Sequence, residues 1–198
     1  MDLKIIKDNI GNYQIKYFKE VNSTHNFVKE NWKTISNKTI VIADSQTEGI
    51  GTHGRVWYTG NNNIAMSILI KPNCDIDKLN NITIEIAKSI QWAIKEKYNI
   101  NLEIKYPNDL LLNNKKICGI LTEIRSISKE VTHLIISIGF NVNEVDFDEN
   151  ILDTATSLKK ELKKEYSREE IISEIIKQID KKIIANLTSQ NNENFYQY

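Results

Sequence analysis

The sequence predicts an α+β domain built on a mixed, largely antiparallel sheet with helices packed on one face. Three observations carry that class. Short β-rich runs outnumber the helical ones and do not alternate with them, which argues against a doubly wound parallel sheet. Two long segments repeat their apolar residues at helical spacing. The chain has 198 residues, against roughly 100–200 per domain. It therefore reads as one domain, able to bury about 70% of its unfolded surface without disulfide staples.

The elements follow in order. Tyr13–Phe18 alternates well enough for a short strand, and Asn22-Ser23-Thr24 offers cap residues for a helix to about Trp32. Thr39–Ala43 is a β-branched strand that runs into a glycine cluster, and Asn63–Ile70 is another strand, stopped by Pro72. From about Lys78 to Tyr98, Ile82, Ile86, Ile90, Ala93 and Ile94 recur on one helical face. Leu102–Ile104 is a strand broken at Pro107. Asp109–Leu112 and Lys116–Ile124 read as a hairpin whose Asn113-Asn114 tip tolerates positive φ. His133–Phe140 is a further strand. Ser167-Arg168-Glu169-Glu170 is a capping box opening a helix with an isoleucine stripe from Ile171 to Ile183. The polar tail from Thr188 to Glu193 is expected to fray.

Composition removes several functions. The 26 basic and 26 acidic side chains balance, so no net field draws the chain to nucleic acid or an anionic membrane. Two cysteines, Cys74 and Cys118, exclude a disulfide framework and a cysteine-rich zinc site. No signal peptide or 18-residue apolar run is present, and the expected location is the cytoplasm.

Of the 7 glycines, Gly49, Gly51, Gly54 and Gly60 fall close together around Arg55. Gly49-Ile-Gly-Thr-His-Gly54 spells G-x-G-x-x-G, but a dinucleotide fingerprint needs its third glycine to open a helix. Arg55-Val-Trp57-Tyr-Thr-Gly60 and three asparagines follow instead. What remains is a glycine loop with one Arg and one Trp, able to cradle phosphate oxygens and cover an aromatic base. A second segment runs from Lys105-Tyr-Pro-Asn-Asp109 to Lys116-Ile-Cys-Gly119-Ile-Leu121. Asn108 and Asp109 sit at a strand junction, and Gly119 permits close approach. Taken alone, this segment also reads as a hairpin with an edge lysine.

Together, Ser23-Thr24, Gln46 to Trp57, Lys105 to Leu121, and Gly139-Phe-Asn-Val-Asn143 resemble the catalytic domain of biotin–protein ligases, over about residues 15–187. The resemblance implies a sheet of the class II aminoacyl-tRNA synthetase-like type. Within that resemblance the expectation is a single domain over 1–198, lacking the N-terminal DNA-binding domain and the C-terminal small β-barrel that other members carry. The implied activity is ATP-dependent: biotin becomes biotinyl-5′-AMP and passes to a lysine of a biotin carrier domain. By the same resemblance, Ser23, Thr24, His25, Gln46, Gly49, Ile50, Gly51, Thr52, Lys116, Gly119, Ile120 and Gly139 bind biotin. Arg55, Trp57, Asn63, Asn108 and Lys116 bind the adenylate, with Trp57 stacked on adenine. Lys116, Arg55 and Mg²⁺ stabilise phosphate charge, and Asp109 serves as general base. No protein-held metal centre, nucleic acid or membrane is implied, and a homodimer is compatible with the reading.

Two departures from the family pattern stand out. Ile50, Thr52 and His53 occupy a loop that is arginine-rich in the best-known members, and His25 stands where Asn often follows Ser-Thr. As a residue type His25 reads as a satisfied surface or cap side chain. The alternatives are a lipoate–protein ligase-like acyltransferase, whose characteristic Arg-Arg-x-x-Gly-Gly-Gly-like loop is missing here, and a non-catalytic module that holds biotin or its adenylate.

Overall fold

The computed structural model describes residues 1–188. Among them, β1 (Gln14–Val21), β2 (Thr39–Gln46), β3 (Ile64–Ile70), β4 (Glu103–Lys105), β5 (Asp109–Leu112), β6 (Lys115–Ile127) and β7 (Glu130–Phe140) form one sheet. Its spatial order is β1-β2-β3-β7-β6-β5-β4. Only β1–β2 is parallel; every other neighbour pair is antiparallel. The class the sequence predicts therefore holds. So does the β5–β6 hairpin: Asn113 (φ 51°) and Asn114 (φ 64°) make its two-residue turn.

One face of the central strands carries Ile40, Ile42, Met66, Ile68, Ile136 and Ile138. On it pack α1 (Leu3–Lys7), α3 (Ile82–Tyr98) and α5 (Arg168–Ile179), with Ile86, Ile90, Ile94, Ile172 and Ile176 buried. The expectation of helices on one face fails for α2 (Thr24–Asn31), which covers the other side. There Val28 meets Val41, Leu69 and Ile135. The reason is strand parity: β3 is buried at every position, so both of its faces need cover. Helix α2 covers only part of its face, and the uncovered part becomes the site described below.

Local chemistry sets the ends. Ser23 caps α2 by accepting from the Asn26 amide at 3.4 Å. The helix expected from Lys78 is interrupted: a 3₁₀ turn spans Ile76–Leu79, Asn81 turns left-handed (φ 63°), and α3 proper starts at Ile82. The α5 capping box is half-made, since Ser167 accepts from the Glu170 amide (3.2 Å) while Glu170 pairs with Lys97. Five-residue α1 and α4 (Leu158–Leu162) are too short to show a period. The isoleucine stripe continues through a π-helical turn at Asp180–Ile184 into α6 (Ala185–Thr188). The rest of the polar tail, from 189, lies outside the described residues. Among the described residues, no helix is long and apolar enough to cross a membrane.

One polar brace joins α5 to the sheet beside the site. The Arg168 guanidinium donates to Asp44 (3.2 Å) and to the Asn63 carbonyl (3.1 Å), and the Tyr17 hydroxyl donates to the same Asp44 carboxylate. Both charged side chains are largely buried. Arg168→Leu leaves the Asp44 carboxylate with the Tyr17 hydroxyl but no counter-charge and should cost about 2 kcal/mol in urea denaturation. Adding Asp44→Asn should restore part of that loss. An unchanged midpoint in the single variant would show the brace to be idle.

Candidate active site

The face that α2 leaves bare is a row almost without side chains. In register across the sheet stand Ala43, Ala65, Gly139, Gly119 and Asp109, on β2, β3, β7, β6 and β5. One register step towards α2 lie Val41, Ser67, Ser137 and Leu121. The first row makes a trough open to a flat ring, and the second supplies hydroxyls along one side.

The α2 end of the trough is polar. The Thr24 amide donates to Gln46 Oε1 at 2.8 Å, which fixes that atom as the oxygen, and Gln46 Nε2 donates to Thr59 (3.1 Å). Ser67 Oγ lies in hydrogen-bond contact with Thr24 Oγ1 and with Ser137 Oγ, and His25 Nδ1 sits 2.9 Å from Ser137. His25 is thus not a surface or cap residue; it is 5% exposed. Its Nε2 faces Glu123, which also takes hydrogen bonds from Lys29 and Arg125. Burial alone would raise the Glu123 carboxyl, but the hydrogen bonds from Lys29, His25 and Arg125 outweigh it and hold the pKa at about 2. Burial lowers the pKa of His25, against the opposing pull of Glu123.

The glycine cluster is a cinched loop. Gly51 N–H donates to Arg55 O (2.7 Å), Trp57 N–H donates to Gly49 O (2.8 Å), and His53 and Gly54 turn the tip with positive φ. A Cβ on Gly49 would stand 2.2 Å from the Trp57 carbonyl, so this backbone approach admits glycine alone. The loop lays Trp57 on the trough. A Cβ on Gly139 would meet the indole at 2.1 Å, and one on Gly119 at 2.8 Å. Trp57 fills the glycine floor, and among the described residues its buried Nε1–H has no hydrogen-bond partner. The cavity left beside it is about 40 Å³, room for a few waters and no more.

A second, open cleft of about 780 Å³ adjoins it, with Arg55 exposed at its edge. Lys116 lines both spaces. Its ammonium lies 2.7 Å from Asp109 and 5.4 Å from the centre of the Trp57 ring. Asn108 Nδ2 donates to Asp109 (3.1 Å) and to the Ile120 carbonyl (3.3 Å).

The sequence-predicted residues fall on the two spaces, with Gln46, Trp57 and Lys116 shared by both. Ser23, Thr24, His25, Gln46, Ile50, Gly51, Thr52, Trp57, Asn108, Lys116, Gly119, Ile120 and Gly139 line the small cavity. Gly49, Arg55, Asn63 and Asp109 line the cleft. Asn63 is committed to structure, since its side-chain oxygen accepts from the Val142 amide (3.0 Å). Ser67, Ser137 and Glu123 went unnoticed in the sequence. The available signal was two serines inside otherwise apolar strands, which a buried strand tolerates only when the hydroxyls have partners.

A sequence model of the Biotin/lipoate A/B protein ligase family matches residues 17–141, more than half of the chain. The bifunctional ligase/repressor BirA of Bacillus subtilis is 40% identical over 125 residues, 62% of this chain and 38% of that protein. The biotin--[acetyl-CoA-carboxylase] ligase of Paracoccus denitrificans is 29% identical over 110 residues, 54% of this chain and 46% of that protein. The chain thus spans less than half the length of either relative. Among solved structures, the biotin protein ligase of Aquifex aeolicus in complex with biotin and ATP superposes with a TM-score of 0.76 at 32% identity. It covers 88% of this chain and 72% of that one. The fold is that of this ligase structure. The chain belongs to the Biotin/lipoate A/B protein ligase family.

Gly139→Ala puts a methyl where the indole lies and should push Trp57 off the floor. With Trp32 and Trp92 replaced by Phe in all chains compared, Trp57 emission should shift to the red. Stability should change by about 1 kcal/mol or less, because a loop side chain yields more readily than a strand. Unshifted emission would show that Trp57 does not rest on Gly139.

Proposed function

We propose that this chain activates biotin with ATP as biotinyl-5′-AMP and passes the biotinyl group to a lysine of a biotin carrier domain of a carboxylase. The observation that carries the reading is Lys116, which lines both the small cavity and the cleft at their junction. A carboxylate entering from one side and an α-phosphate from the other meet at its ammonium.

In this reading the biotin rings take the Gly119–Gly139 floor, which requires the indole to leave it. Trp57 lines both spaces, so its displaced ring is on hand to stack on adenine in the cleft. The polar wall favours biotin over lipoate. Gln46 Oε1 and Thr24 Oγ1 are oxygens placed to accept from the N–H groups of a ureido ring, and a dithiolane has none to give. The biotin carboxylate oxygen attacks the α-phosphorus and pyrophosphate leaves. Lys116 and Arg55 stabilise the charge that gathers on the phosphate oxygens. Mg²⁺ carried on the nucleotide would neutralise phosphate charge beside Lys116 and Arg55. Asp109 holds Lys116 in place through their 2.7 Å ion pair. In the second step the acceptor amine attacks the acyl carbon, AMP leaves with the bonding electrons, and Asp109 takes the amine's proton.

With ATP and Mg²⁺, biotin should drive pyrophosphate release and lipoate should not; release with lipoate alone would move the chain to the other branch of its family. Lys116→Ala should slow pyrophosphate release roughly a hundredfold while the fold persists. Wild-type release from that variant would remove Lys116 from the reaction. Asp109→Asn should slow transfer from preformed biotinyl-5′-AMP more than it slows adenylation, measured as separate single turnovers. The reverse order would make Asp109 only the partner of Lys116.

A further inference from the structure

Beneath the Thr24 end of the pocket runs a buried chain of polar contacts that lacks one proton. Glu123 Oε2 lies 3.2 Å from His25 Nε2, and His25 Nδ1 lies 2.9 Å from Ser137 Oγ. Ser137 Oγ is 2.8 Å from Ser67 Oγ, which is 2.9 Å from Thr24 Oγ1, which is 3.1 Å from Gln46 Oε1. Each contact needs one hydrogen. Both ends can only accept: Glu123 is a carboxylate, and the Thr24 amide identifies the Gln46 atom as oxygen. Five contacts must therefore be filled from three hydroxyls and one imidazole. Neutral His25 brings a single proton, which leaves the chain one short; imidazolium brings two and completes it.

Burial resists the imidazolium. Ser67, Ser137, Thr24 and His25 are all at most 8% exposed, and burial pushes His25 below its ordinary pKa. A ligand can supply the missing hydrogen from the other end. An N–H arriving at Gln46 Oε1 and Thr24 Oγ1 lets Thr24 turn its proton to Ser67. Ser67 then donates to Ser137, and Ser137 to the bare Nδ1 of His25. Every group is satisfied and the imidazole stays uncharged.

We propose that His25 is a positioning residue for the ligand's N–H groups, acting through Ser137 and Ser67 on the direction of the Thr24 hydroxyl. Neutral His25 makes Thr24 and Gln46 an open pair of acceptors. Protonated His25 reverses the run, so that the Thr24 proton lies on Gln46 and the pair is closed. This rests on the biotin reading, whose ureido group is the N–H donor, and adds to it a defined role for the residue that departs from the family's usual Asn.

Ligand and proton then compete. By linkage the complex holds His25 at a lower pKa than the free chain, so affinity is full above the free-chain pKa. It weakens as pH falls through that value, which lies below about 6.5. The expected loss is about tenfold, the worth of one buried hydrogen bond. The charged groups around His25 are Glu123 and Arg125 on β6 and Lys29 on α2. His133 on β7 also has a pKa lowered by burial, and it stacks on Trp32 without touching the chain of contacts.

The test is biotin affinity of the chain by calorimetry from pH 8 to about 5.5, above the ordinary carboxyl range so that the ligand keeps its charge. The native sequence should bind more weakly at the acid end, by a part of that tenfold limit, because the fall has only begun where pH passes the lowered pKa of His25. Ser137→Ala, which cuts His25 from Ser67 while leaving His133 and Glu123 in place, should bind with no pH slope, and His25→Gln likewise. In ¹⁵N spectra of the complex, His25 should be neutral with its proton on Nε2. A flat profile in the native sequence, an undiminished slope in Ser137→Ala, or a proton on Nδ1 in the neutral complex would each overturn the inference while leaving biotin binding intact. A folded chain that binds no biotin at pH 8 would overturn the biotin reading, and this inference with it.

Discussion

The site depends on a deletion of side chains from one register row of the sheet. Ala43, Ala65, Gly139 and Gly119 come from four strands, yet pairing brings them into one line. Had that row carried the Ile, Val and Leu of its neighbours, it would have packed like the rest and called for a longer α2 to cover it. With nothing larger than a methyl group there, the sheet surface sinks and leaves a trough. The candidate site is arranged around that trough: the hydroxyls at one side, Lys116 at the far end, and the loop indole laid across the top.

The two faces do different work for this reason. The α3/α5 side is a continuous apolar layer that gives the sheet its rigidity. The α2 side is a small apolar cluster followed by polar groups that all need partners. A buried hydroxyl pair such as Ser67 and Ser137 is tolerable only because hydrogen bonding continues from each to the next group, and a rigid sheet keeps those distances short. The Arg168–Asp44 brace extends the same logic to the rim, tying α5 to the end of β2 from which Gln46 projects.

Much of this was legible in the sequence where the determining chemistry is local. The Asn113-Asn114 turn, the Ser23 and Ser167 caps and the face of α3 each follow from a few adjacent residues. The motif residues could be collected into one site because their order along the chain resembled a known pattern. What was not legible depended on pairing between distant strands. Ser67 and Ser137 are 70 positions apart, and nothing near either one marks it as a neighbour of His25. Helix α2 fell on the unexpected face because that choice depends on the parity of β3 and β7 rather than on its own sequence. The resting place of Trp57 was not legible in its own loop, because two glycines on other strands set it.

If the floor is the biotin seat proposed above, that resting place makes the indole an internal competitor. A side chain tethered beside its own seat needs no concentration to occupy it, and an outside ligand must first find the seat vacant. Apparent affinity is then the intrinsic value scaled by the vacant fraction, so each tenfold preference for the covered state weakens binding tenfold. The unpaired Nε1–H counts against the covered state, because a buried donor without a partner costs about 1–3 kcal/mol. Apolar contact favours cover and the orphaned donor favours release. The balance between them sets how readily the floor accepts a guest, and keeps water off the glycines until one arrives.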